Sequence, residues 1–229
     1  MNPYVTKLSL SMPETERLIR NGFVNTNIHF QEAFPHWKKM QIAAFTDRQV
    51  EDFEGDAEEV EWVRSIYETY GKLYQGRRYI ETQYNVKEPL HSKIVESLPN
   101  VFKDIKISFR AQKFTDGDYM LPHRDHDRTS GLYFVMSPPE FETRWYELVG
   151  DFEERRLKYA PPDNLKLAHS EVLQRGSWYL FNNYAHHSVH KIVGIPKPTR
   201  KTFVIQLDGL KYDQALEVFK DYVYETKMD

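Results

Sequence analysis

The stretch DIKISFRAQKF, residues 104–114, marks the point where this chain changes character. Ile105, Ile107, Phe109 and Ala111 alternate with Lys106, Ser108, Arg110 and Gln112. A period of two identifies a β-strand with two unlike faces, because successive side chains point to opposite sides. Further strands follow at GLYFVMS (131–137), HSEVLQ (169–174), SWYLFNN (177–183), HSVHKIV (187–193) and RKTFVIQL (200–207). Asp116-Gly117, Arg175-Gly176 and the run from Gly194 to Pro198 are the turn signals between them.

Upstream of Pro99 the pattern is mainly helical. Ser11 and Glu14 have the spacing of a capping box. Asp56 and Glu59 repeat it ahead of a longer helix, in which Val60, Val63, Tyr67, Tyr70 and Tyr74 recur at helical intervals. Leu90, Ile94 and Leu98 form one stripe of a shorter helix near 88–98. Residues 138–168 are charged and Pro-flanked and read as a long insertion between strands, a feature more often functional than idle. DQALEVFKDYVYETK (213–227) reads as a closing helix. Helices followed by many short strands predict an α+β chain, a β-sandwich or barrel supported by helices. No linker interrupts it. One domain is expected over 1–229, with helical support in 1–100, a β core in 101–210 and a C-terminal helix in 211–229.

Composition narrows the function. At 40% hydrophobic and 28% charged residues, the chain can bury a real core. A formal net charge of −3 provides no basic field, so no nucleic-acid partner is expected. No apolar run approaches the ~18 residues of a membrane span, and no membrane partner is expected. The first residues lack a signal-peptide pattern, so a cytoplasmic location is the expectation. With no Cys, any metal must be held by His, Asp or Glu.

YMLPHRDHDRTSGLYF, residues 119–134, packs charge against an aromatic strand. His123 and Asp125, two apart, point to one side of an extended chain, close enough to share an ion. A His-x-Asp pair alone is a weak signal, and on that evidence by itself a solvated surface turn is the better reading. A second cluster, FNNYAHHSVHKIV (181–193), stands at another strand start. Two His and one carboxylate with open positions make up the ligand set of non-haem Fe(II) oxygenases. Parity sets His187 opposite His186 and His190 but does not say which face looks inward. Arg200 and Thr202 then share one face of the last strand, where a guanidinium fork and a hydroxyl suit a carboxylate.

Residues 104–208 resemble the Fe(II)- and 2-oxoglutarate-dependent oxygenases. His123-Arg124-Asp125, the later His187 and Arg200 on the last strand match that family's pattern. RGSWYLFNNYAHHSVH (175–190) is similar to its Gly-x-x-x-x-Phe-(Asp/Asn) strand leading to His-x-Val, which singles out His187. Arg200-Lys201-Thr202 resembles its Arg-x-Ser clamp, with Thr for Ser. The resemblance implies a double-stranded β-helix (a jelly-roll, cupin-like barrel) braced by the N-terminal helices and the C-terminal helix. It implies Fe(II) held by His123, Asp125 and His187, 2-oxoglutarate held at Arg200 and Thr202, and O2 as oxidant. The implied reaction is hydroxylation of a C–H in a small molecule or a peptidyl residue, with release of succinate and CO2. A carboxylate at 125 favours hydroxylation over halogenation, because halogenating relatives carry Ala or Gly there.

Other residues have two readings each. Tyr133 is either a donor to 2-oxoglutarate or a packing residue. Arg110 and Gln112 either meet water or line a cavity. Arg128 either meets substrate or forms a structural ion pair. His126 and Asp127 are solvated neighbours or partners of the ligands. One of Trp178 and Tyr179 is expected to be plain core. Arg155 and Arg156 lie in a charge run typical of a solvated face, and His36-Trp37 has no motif around it. The competing functions are a cupin-like metal enzyme that does not use 2-oxoglutarate, and a non-catalytic binding barrel.

Overall fold

The computed structural model describes residues 2–33, 54–68, 81–115, 119–125, 128–150, 160, 162–196 and 198–223. The expectations for His36, Trp37, Tyr70, Tyr74, Asp116-Gly117, His126, Asp127, Arg155, Arg156 and the last six residues lie outside the described residues. The strands are β1 (Val5–Leu8), β2 (Phe30–Glu32), β3 (Glu81–Val86), β4 (Ile107–Thr115), β5 (Tyr119–His123), β6 (Ser130–Val135), β7 (Phe141–Leu148), β8 (Leu165–Val172), β9 (Trp178–Asn182), β10 (His186–Lys191) and β11 (Thr199–Leu207). The described helices are α1 (Pro13–Val24), α2 (Thr26–His29), α3 (Ala57–Ile66), α4 (Leu90–Ser97) and α5 (Tyr212–Val218). None of them is long and apolar enough to cross a membrane.

Two antiparallel sheets form the body. One has the order β1-β9-β6-β11-β4-β3-β2, and the other β5-β10-β7-β8. From β4 onward the first strand pairs with the last, β5 with β10, β6 with β9 and β7 with β8. That is the path of one long antiparallel hairpin rolled across two sheets, a jelly roll. The pairs β6–β11 and β7–β10 join these hairpin pairs within each sheet. The chain is therefore mostly β, in two sheets, with few helices.

The period of two in 104–114 divides the protein into two cores. Phe109 and Ala111 face the helices, where they join Leu132, Phe134, Phe203 and Ile205 against Ile19, Ile94 and Phe219. Burial of each such side chain contributes about 1.5–3 kcal/mol. The opposite face looks toward the smaller sheet. There Tyr133, Val135, Tyr179, Phe181 and Val204 pack with Val5, Trp145 and Leu173. This second core fills one part of the space between the sheets, and polar side chains occupy the rest.

Four expectations are corrected. The first hundred residues are not helical alone: three strands that the sequence reading did not give, β1, β2 and β3, extend the larger sheet. Short strands like VTKL form only by pairing with a neighbour already in place, here β9. The segment 138–168 is not simply an insertion, since it contains β7 and the start of β8. Within β7, Phe141, Thr143 and Trp145 are buried, while Glu142, Arg144 and Tyr146 are half-buried on the other side. Ser11 does not cap α1. Pro13 opens that helix after Met12, with no side-chain cap, and the backbone N–H of Met12 donates instead to Glu16 Oε1 at 3.4 Å. Finally, α5 stops at Val218 and a 3₁₀ turn, Lys220–Tyr222, follows it.

Candidate metal centre

His123 ends β5 and His187 stands near the start of β10, directly opposite in the register of that pair. Their ring centroids are 4.5 Å apart. The pairing shifts register between His187 and Val189, a local irregularity of the kind that re-aims side chains beside a site. His123 Nδ1 lies 2.7 Å from Leu121 O, and His187 Nδ1 lies 2.9 Å from Ala185 O. A carbonyl only accepts, so both neutral imidazoles carry their proton on Nδ1 and their lone pair on Nε2. Asp125 lies two residues past His123, and its N–H donates to Asn183 O at 3.0 Å. Its Oδ1 is 4.0 Å from His123 Nε2 and accepts from Arg128 Nη2 at 2.9 Å.

The three side chains line one cleft between the sheets, with about 560 Å³ of space between the lining side chains, part of it open to solvent. Among the described residues, no three or more His, Asp or Glu close to the spacing of a metal-ligand cluster. Donors at right angles on a common ion stand about 3 Å apart for bonds of about 2.1 Å. Asp125 Oδ1 and His123 Nε2 would have to close by about that 1 Å difference, while both imidazoles already present the correct nitrogen. Two neutral imidazoles and one carboxylate suit a first-row divalent ion. By residue type and tautomer the site fits one.

Arg200 and Thr202 enter the same cleft from β11. Arg200 Nη1 is 3.5 Å from Thr143 Oγ1, and Thr202 Oγ1 donates to Gln112 Oε1 at 3.0 Å. Gln112 therefore lines the cavity. Arg110 Nη1 donates to Asn85 Oδ1 at 2.6 Å on the same face of the sheet. Tyr133 borders the cleft, stacks on Phe181 at 4.2 Å and donates its hydroxyl to Asn183 Oδ1 at 3.1 Å. Trp178 and Tyr179 are both buried, one in each core. His186 is buried but does not border the cleft, and His190 Nε2 pairs with Ser188 Oγ at 2.8 Å.

The sequence reading missed Thr143, Gln83 and Asn183. Thr143 lay in the supposed insertion, and Gln83 in a half read as helical. Asn183 was visible only as part of FNN. A larger groove between α1 and α4, lined by Leu18, Gly22, Leu90 and Lys93 among others, contains none of the candidate ligands.

No protein-family model matches the chain, and no curated protein matches it in sequence. Solved structures with some likeness include vicilin from Corylus avellana (hazelnut), at 11% identity and TM-score 0.33, over 64% of this chain and 35% of that one. Fe(II) HppE shows 11% identity and TM-score 0.29 over 57% and 56% of the two chains. E. coli ycfD shows 13% identity and TM-score 0.34 over 65% and 41%. This chain thus spans 35% to 56% of the lengths of these three proteins. Overlap this partial says nothing about what the chain binds. Its own residues carry the functional reading.

Proposed function

We propose that this protein is an Fe(II)- and 2-oxoglutarate-dependent dioxygenase that hydroxylates a C–H of a small molecule or an amino-acid or peptidyl residue. The net reaction takes R–H, O2 and 2-oxoglutarate to R–OH, succinate and CO2. The observation that carries this reading is the facing pair His123 and His187, with both Nε2 lone pairs preset by backbone carbonyls. His123, His187 and Asp125 would hold the ion. Bound Fe(II) supplies the activation of O2, which no protein side chain can provide.

The chain's own groups do the rest. The Arg200 guanidinium offers paired N–H donors to the distal carboxylate of 2-oxoglutarate. The hydroxyls of Thr143 and Thr202 border that end of the cleft. Phe114, Phe181 and Val189 add apolar surface to a lining that is otherwise largely polar. The whole chain would act as one oxygenase domain.

The test is succinate formation in the presence of O2 and ascorbate, with Fe(II) and 2-oxoglutarate supplied or withheld. Succinate should require both and should vanish in Asp125→Ala. Undiminished turnover in that variant would refute the reading. A second reading keeps the metal and drops the cosubstrate. It is favoured by the existing contacts of Thr202 and Arg200 with Gln112 and Thr143, which would make the clamp residues internal structure. Binding of 2-oxoglutarate that is lost in Arg200→Ala rejects it.

A further inference from the structure

Asp125 is restrained at both ends. Its backbone N–H donates to Asn183 O, which fixes the main chain just beyond β5. Only the side-chain torsions remain. Arg128 Nη2 donates to Oδ1 at 2.9 Å, in a pair whose side chains are 10% and 3% exposed. Oδ1 is also the oxygen that approaches His123 Nε2, at 4.0 Å. Arg128 borders the same cleft as the three candidate ligands. The guanidinium therefore sits on the oxygen next to the candidate centre.

This contact does two things. It supplies counter-charge to a carboxylate that would otherwise be costly to bury. It also ties down Oδ1, the oxygen that approaches His123 Nε2, so that turning the carboxylate would break the contact with Arg128. Resting on the proposed function above, we propose that Arg128 is a positioning residue for Asp125. It makes Asp125 a one-oxygen ligand and keeps the adjacent coordination position open for the cosubstrate. An Arg so near a divalent ion also repels it, and the two effects predict opposite signs when the charge is removed.

Co(II) binding by calorimetry and visible absorption separates them without requiring turnover. Arg128→Met should weaken Co(II) binding about 10–100-fold, the usual effect of losing an outer partner of a metal ligand. It should also alter the d–d absorption, as Asp125 rotates and the coordination number changes. Arg128→Lys, which keeps a charged donor, should recover most of the affinity. In an Asp125→Asn background, Arg128→Met should change nothing further, because its effect passes through that carboxylate. If Arg128→Met does not fold, Arg128→Gln, with an amide N–H and no charge, carries the same comparison.

Unchanged affinity and spectrum in Arg128→Met would overturn the proposal. So would tighter binding, or an equal loss in the Asp125→Asn background. A wild-type protein that binds no Co(II) would sink this inference together with the proposed function. A wild type that binds Co(II) and forms succinate, but is indifferent to position 128, would sink this inference alone.

Discussion

His123 and His187 face each other across adjacent antiparallel strands, and each directs its Nδ1 to the carbonyl two residues earlier in the chain. The same local device acts twice, so two residues 64 positions apart arrive as matched donors. His187→Ala should therefore weaken divalent-metal binding by more than the about 100-fold that marks the loss of an outer partner. His186→Ala, on the strand's other face, should leave it essentially unchanged. Calorimetric titration with Mn(II) or Co(II) reads both. Equal losses in the two variants would mean that the wrong histidine has been assigned.

Arg200 and Thr202 project from the last strand into the cleft that the two histidines close. Charge-assisted hydrogen bonds contribute about 1.5–3 kcal/mol each. Arg200→Ala should then weaken 2-oxoglutarate binding by about 10–100-fold or more while metal affinity stays near that of the wild type. Thr202→Val should cost less, because its hydroxyl already donates to Gln112. Fluorescence or calorimetric titration of the metal-loaded protein measures both. Full 2-oxoglutarate affinity in Arg200→Ala would remove the clamp from the proposed function.

The sequence displayed the strands that alternate clearly and hid those that do not. Ile107 to Ala111 and Phe203 to Leu207 advertise a sheet because one face is apolar. β7 was hidden because Glu142, Arg144 and Tyr146 punctuate it with charge and a phenol, so FETRWYEL looked like surface. β3 was hidden because its inward positions are polar: Gln83 lines the cleft, and Asn85 accepts from Arg110. In β3 the polar residues serve the cleft and in β7 they cover the outer face, and pattern reading took both for loop or helix. The candidate ligands were legible as letters. Which face of β10 looks inward was not, because that depends on pairing with β5 and β7.

Trp145 tests the reassignment of β7. Its side chain is fully buried between the sheets, and Nε1 has no hydrogen-bond partner among the described residues. Trp145→Ala should cost about 3–5 kcal/mol, as for other large core truncations. Trp145→Phe should cost far less, because the lost area is offset by removing an unsatisfied buried donor. Urea denaturation compares them. If the alanine variant were as stable as the wild type, β7 would not be a core strand.

Tyr212 gives the fold a measurable alkaline limit. Burial pushes its hydroxyl up to about 12, against a lowering hydrogen bond from Thr6 and with smaller raising contributions from Asp213 and Glu171. The hydroxyl lies 2.8 Å from Thr6 Oγ1 and donates to Asn2 O at 3.1 Å, which ties α5 to the start of the chain. Because the neutral form is favoured in the folded state, the native protein keeps this proton where the unfolded chain, near 10, has lost it. The contribution is complete below pH 10 and is lost as the pH rises toward 12, by at most about 2–3 kcal/mol. Tyr212→Phe should be less stable at pH 7 by about 1–3 kcal/mol, because it strands Thr6 and the Asn2 carbonyl. It should also lose stability less steeply than the wild type between pH 10 and 12. Urea melts at pH 7, 9 and 11 on both proteins measure the difference. Parallel pH profiles would mean that Tyr212 ionises no differently in the folded and unfolded chains.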